Sequence, residues 1–148
     1  MPAFGRKRVA IHFGPEPLRR TVPAAGAVWD FWDERYTGVA TGSLEVIVPP
    51  RSVKLLRVAP VRTHPWILST DIHLRQGQAE LSGVSWNEGA LELRFSATRA
   101  GNVFLRVPKE FRLADPAGLW IAKDGNDASL LVRVAAEAGE RSVKFVRM

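Results

Sequence analysis

The chain contains no cysteine among its 148 residues, which excludes disulfide frameworks and thiolate-ligated metal centres. Histidine is nearly as scarce: His12, His64 and His73 are the only three, and none stands at a ligand-pair spacing, so no metal site is expected. No apolar run approaches the roughly 18 residues of a membrane helix. The stretch Val9–Phe13 near the N-terminus is too short for the apolar centre of a signal peptide. Helical patterning is also missing. Leu113–Leu119 is interrupted by Pro116 and Gly118, and Ala135–Gly139 has helix-forming letters but is too short to stand alone.

What the chain does have is period-two alternation. Val9, Ile11 and Phe13 share one phase; Leu91, Leu93 and Phe95 alternate with Glu92, Arg94 and Ser96; Val103, Leu105 and Val107 repeat the pattern, as do Leu130, Val132 and Val134. Such short alternating runs are the signature of half-buried strands. Between them lie turn formers: Gly14-Pro15-Glu16-Pro17, Pro49-Pro50, Asn87-Glu88-Gly89, Asp115-Pro116 and Asp124-Gly125-Asn126-Asp127. Asn87-Glu88-Gly89 predicts a hairpin with Gly89 at positive φ. Twelve glycines and ten prolines punctuating short strands predict an antiparallel β-sandwich.

One strand is written twice. Arg51–Val58 reads RSVKLLRV and Arg141–Met148 reads RSVKFVRM, each after another alternating segment, Ser43–Val48 and Ser129–Val134. Self-similarity of this kind points to repeated structural units. The expectation is an all-β fold of two tandem antiparallel β-sandwich units packed together: a small unit over residues 1–60 and a second over residues 64–148. The boundary is expected within Ala59–Pro65, which carries two prolines. The six residues 135–140 are expected to lengthen the hairpin of the second copy, where the first has only Pro49-Pro50. The strand Val28–Trp32 is bulky on both faces, so Trp29 and Trp32 are expected to point oppositely and the small first unit to pack against a neighbour.

The net charge is +6, which permits binding to an anionic partner. Its placement argues otherwise. Arg94, Arg106, Arg133 and Lys144 each sit between apolar neighbours, so alternation puts them on solvated strand faces. The longest basic run is Arg6-Lys7-Arg8. Neither a nucleic-acid nor a membrane partner is expected.

Catalytic constellations fail on spacing. Ser69, Asp71 and His73 offer the residue types of a hydrolase triad, but on a strand their Cβ atoms stand in a row about 7 Å apart, where a nucleophile and its base need about 3 Å. Asp71 is expected to cap backbone amides instead. Asp124–Asp127 resembles a calcium loop in composition but lacks the spaced ligands and terminal Glu, and reads as a turn. Asp30, Asp33, Glu34 and Glu45 are carboxylates near aromatic residues, yet nothing in the linear order places two in one cleft at the separation glycosidic chemistry requires. No catalytic residue and no cofactor is expected.

The aromatics carry the binding hypothesis. Five tryptophans is a rich complement, and exposed indoles stack on the apolar faces of sugar rings while polar neighbours bond the hydroxyls. Trp32, Tyr36, Trp86 and Trp120 are the candidate sugar platform, with Trp66 a further member. The competing reading is that these rings fill a core or a seam. Phe104 and Leu131 fall on otherwise outward phases, which predicts a second covered surface.

Residues 27–58 carry a recognisable text: Ala27-Val28-Trp29-Asp30-Phe31-Trp32, then Tyr36-Thr37-Gly38, then Val48-Pro49-Pro50-Arg51-Ser52-Val53-Lys54-Leu55-Leu56. It resembles the C-terminal β-sandwich of α-galactosidase (melibiase)-like glycoside hydrolases, and residues 64–77 resemble a segment that follows that sandwich in bacterial members. In that family the sandwich follows a catalytic barrel and contains no catalytic residue. The resemblance implies a non-catalytic accessory region whose partner is the catalytic barrel of a parent protein. The alternative is a carbohydrate-binding module using exposed Trp and Tyr. Exposure of the tryptophans discriminates between the two.

Overall fold

Asn87-Glu88-Gly89 closes a hairpin because two consecutive residues adopt positive φ, Glu88 at 48° and Gly89 at 81°. That pair matches the right-handed twist of the strands it joins. The computed structural model describes residues 18–74, 76–77, 80–115, 120–122 and 127–148. The predicted strand at Arg8–Phe13 and the first three residues of the Asp124–Asp127 turn lie outside them. Among the described residues there is no helix, and every sheet is antiparallel. The protein is all-β. It divides into two compact units, Met1–Val61 and Arg62–Met148.

The first unit contributes β1 (Leu18–Asp30), β2 (Arg35–Val46) and β3 (Leu56–Pro60), in the order β2-β1-β3. Its described residues form this one sheet, so the second layer of a sandwich is not among them. β1 ends earlier than the bulky Val28–Trp32 run suggests. Asp30 Oδ1 accepts a hydrogen bond from the Asp33 amide at 3.3 Å, and Glu34 takes φ of 47°. This aspartate-capped turn puts Trp32 in a loop rather than on a strand face.

The second unit contributes β4 (Trp66–Thr70), β5 (Leu81–Asn87), β6 (Ala90–Ala97), β7 (Gly101–Val107), β8 (Phe111–Leu113), β9 (Trp120–Ala122), β10 (Leu130–Ala136) and β11 (Gly139–Arg147). They form two four-stranded sheets, β4-β7-β10-β9 and β5-β6-β11-β8. One core joins the sheets: Leu91, Leu93, Phe95, Val103, Leu105 and Val132 are all buried in it, with Leu130 half-buried at its rim. The alternation read from the sequence is therefore in the correct phase. Phe104 and Leu131 are also buried, as their apolar character on an outward phase predicts.

The duplicated octapeptide does not make two equivalent strands. Arg141–Arg147 lies within β11, laddered to β6 on one side and β8 on the other. In the first copy Arg51–Leu55 has no strand structure, and only Leu56–Val58 enter β3. The cause is local. Arg51 takes φ of 59°, and Ser52 bonds back to the Pro49 carbonyl through its amide at 3.2 Å and its hydroxyl at 2.7 Å. Pro50 at the second position of this turn presets its φ. The same letters thus meet opposite environments: Val53 is 54% exposed and its counterpart Val143 is 7% exposed.

The expected long hairpin over residues 135–140 is also corrected. β10 pairs Ala136 with Gly101 in one sheet, and β11 pairs Gly139 with Ala97 in the other. Glu137-Ala138 is a crossing between sheets, alongside the crossing from β6 to β7. Two predictions follow from burial, both read by chemical denaturation. Leu93→Ala should cost about 2–5 kcal/mol. Val143→Ala should cost about 2 kcal/mol, while Val53→Ala stays within about 0.5 kcal/mol. Equal effects at the two valines are incompatible with the structure.

Candidate functional site

The Phe31–Glu34 turn gathers the charged chemistry of the first unit. Lys54, on the irregular segment after Pro49-Pro50, reaches back to Asp30 Oδ2 at 2.8 Å and also donates to Asp33 Oδ2. The Asp30 side chain is 8% exposed and that of Lys54 21%, whereas Asp33 is 56% exposed. A carboxylate as enclosed as Asp30 is costly unless a cation faces it, which explains why the first octapeptide copy turns Lys54 inward. The hydrogen bond to Asp30, then that to Asp33, raises the Lys54 ammonium above its ordinary value of 10.5; its partial burial works the other way and is outweighed.

Beside this cluster lies a groove of about 400 Å³ on the three-stranded sheet. Val28, Thr37, Leu44 and Leu56 line it together with the charged Asp30, Asp33, Arg35, Glu45 and Lys54. Thr37 Oγ1 donates to the Val28 carbonyl at 3.3 Å, at the bulge where β1 and β2 shift register. Trp32 precedes Asp33 in the chain and is 55% exposed. Its ring stands edge-on to Phe31, centroids 4.9 Å apart at 82°. The turn thus carries a half-exposed indole at Trp32 and, at the next residue, a carboxylate paired to Lys54.

The other platform candidates separate. Tyr36 stands opposite Trp29 in the β1–β2 ladder and is 1% exposed, so its ring presents no face to a ligand. Trp66 is buried too. Trp120 belongs to β9, and its side chain lies outside the described residues. Trp86 is 55% exposed. It is braced by the His64 ring at 5.9 Å and by Phe111 at 5.9 Å. Trp86 belongs to the second unit, and its strand, β5, carries no charged residue.

The residues that look most like a catalytic triad are used to hold the backbone. Asp71 accepts from the Asn102 amide at 2.6 Å and from Asn102 Nδ2 at 2.7 Å. Its carboxylate also lies where a side chain at Gly101 would be, 2.4 Å from an ideal Cβ, so only glycine fits there. Ser69 is buried and donates to Gln76 Oε1 at 3.3 Å, while His73 is exposed. The structure brings no nucleophile and base together here. Among the described residues no group of His, Asp and Glu is placed to hold a metal ion.

Arg106 departs from its expected place on a solvated face. It is buried, with Nε and Nη2 donating to Asp127 Oδ2 at 3.1 and 2.6 Å and Nη1 to the Arg62 carbonyl at 3.3 Å. Asp127 in turn accepts from the Ser129 hydroxyl at 2.5 Å. This is a structural clamp. Arg94, Arg133 and Lys144 are exposed, as alternation requires.

No protein-family model matches the chain, and no curated protein and no solved structure matches it.

Lys54 makes the first unit sensitive to alkali. A base whose pKa is higher in the folded state contributes stability fully below its unfolded value near 10.5, and that contribution is lost as pH rises through the folded value. A pH titration of stability should show this loss above pH 10.5, and Lys54→Met should lack it while being less stable at neutral pH. A variant with an unchanged alkaline profile contradicts the role assigned to Lys54.

Proposed function

We propose that the chain is a non-catalytic accessory module that holds a saccharide at the Phe31–Glu34 turn of its first unit. One observation carries this reading: a half-exposed indole, Trp32, follows Phe31 in the same turn as Asp33, which is paired to Lys54. A pyranose offers a face of C–H groups to an indole and hydroxyls at its rim. Carboxylate and ammonium groups make charge-assisted hydrogen bonds to such hydroxyls. Asp33 is exposed enough to do so without leaving Lys54. The text of residues 27–58 supports a place beside the catalytic barrel of a glycoside-hydrolase-like parent, where a sugar-holding appendage keeps substrate near the enzyme.

The reading assigns no bond cleavage to this chain. Asp71 accepts from the Asn102 amide and side chain and Ser69 donates to the Gln76 side chain, and the paired carboxylates Asp30 and Asp33 share one lysine.

Calorimetric titration with a panel of neutral and acidic oligosaccharides tests the assignment. Binding should be weak, with Kd of order 0.1–1 mM, and Trp32→Ala should lower affinity at least about tenfold. Absence of binding across the panel, or a loss that follows Trp86→Ala instead of Trp32→Ala, defeats the assignment to this turn. Purified protein should not turn over aryl glycosides. Turnover abolished by replacing one carboxylate would show that a catalytic pair exists.

A further inference from the structure

Among the described residues, strand β5 ladders only with β6, so one side of its backbone faces away from the sheet. Proteins blunt such edges with charge, proline, bulges, short length or cover. The other described edge strands use these devices. β2 carries Arg35 and Glu45, with Gly38 and Gly42 at positive φ. β3 carries Arg57 and Pro60. β8 and β9 have three residues each, and β4 is buried along its whole length. β5 reads LSGVSWN, with no charge and no proline. Its one irregularity lies between Leu81 and Gly83, and Gly83–Asn87 pairs regularly with Ala90–Arg94.

The apolar side chains of this edge are exposed on the core-facing side. Leu81, Val84 and Trp86 stand opposite Phe95, Leu93 and Leu91. Those three partners are fully buried, whereas the β5 residues are 42%, 44% and 55% exposed. Among the described residues, the sandwich core therefore runs to a margin of exposed apolar side chains at β5.

We propose that β5 is the interface at which a second copy of this chain adds, edge to edge and antiparallel, continuing the four-stranded sheet across a two-fold axis. Three features select this occupant. A free strand edge is completed by another extended strand. β5 itself carries no charged side chain, so pairing two copies of it sets no like charges directly opposite one another. The regular segment Gly83–Asn87 is also self-complementary about Ser85. In that register Val84 of one copy stands opposite Trp86 of the other, twice, and both lie on the core-facing side. Aromatic against β-branched pairing is a favourable cross-strand combination, and the Trp86 ring is already held by His64 and Phe111. An isologous contact of this kind closes at two copies.

Sedimentation equilibrium of the full chain, from about 1 μM to about 1 mM, tests the interface. The mass should rise with concentration and level off at twice the chain mass. Val84→Lys, placed on an exposed residue, should weaken association at least about tenfold with unchanged circular dichroism. Independently, hydrogen exchange of the wild-type amides at 83–87 should slow with concentration while β8 amides do not change. A wild type that stays monomeric, a mass that grows beyond two copies, a folded Val84→Lys variant that associates as tightly, or exchange at 83–87 indifferent to concentration each overturns the proposal. Should Val84→Lys fail to fold, the exchange measurement on the wild type decides alone.

Discussion

The second unit depends on the ladder between β6 and β11. It joins the middle of the chain to its last nine strand residues, Gly139–Arg147. On its inner side Leu91 faces Phe145 and Leu93 faces Val143, all buried; on its outer side Glu92 faces Lys144. The flanking strands hang on this pair, since β5 ladders to β6 and β8 to β11. Separating the two central strands would break their ladder of backbone hydrogen bonds as well as open the core.

Among the described residues, each unit also has an enclosed cation–carboxylate pairing, and the two differ in consequence. Arg106 and Asp127 form a planar, multiply bonded clamp that ties the loop before β10 to β7. The planar guanidinium makes two of these bonds to one carboxylate oxygen and a third to a backbone carbonyl, which holds the loop in place. Lys54 instead serves two aspartates of unequal exposure. Its charge can be titrated away, and one of its partners stays open to a ligand. The contrast explains why the first device reads as structure and the second as a site.

The proposed saccharide site at the Trp32 turn and the proposed dimer edge at β5 make separate demands on the molecule. The first needs exposed polarity at a turn; the second needs a neutral strand with bare apolar side chains. They fall in different units and use different tryptophans, so each stands without the other. Three of the four platform aromatics, treated in the sequence as one class, thus separate into a buried ring at Tyr36, a turn at Trp32 and a strand edge at Trp86, while the side chain of Trp120 lies outside the described residues.

The all-β class, the Glu88-Gly89 hairpin and the core phase of Leu91, Leu93, Phe95, Val103 and Leu105 were legible because alternation and turn chemistry act over a few residues. β8 and β9, at three residues each, are too short for a period of two to register. The Lys54 cluster was hidden because its members lie 21 and 24 residues apart, and Arg106 looked solvated because its partner is 21 residues away. The repeated octapeptide marks the division most clearly. Its letters set which residues alternate. Whether a given valine is covered was decided by what stands alongside: β6 ladders Val143 against Leu93 in the core of the second unit, while a proline turn detaches Val53 in the first. Burial is a property of neighbours brought together by the fold, and a strand's own sequence fixes only which of its side chains share a face.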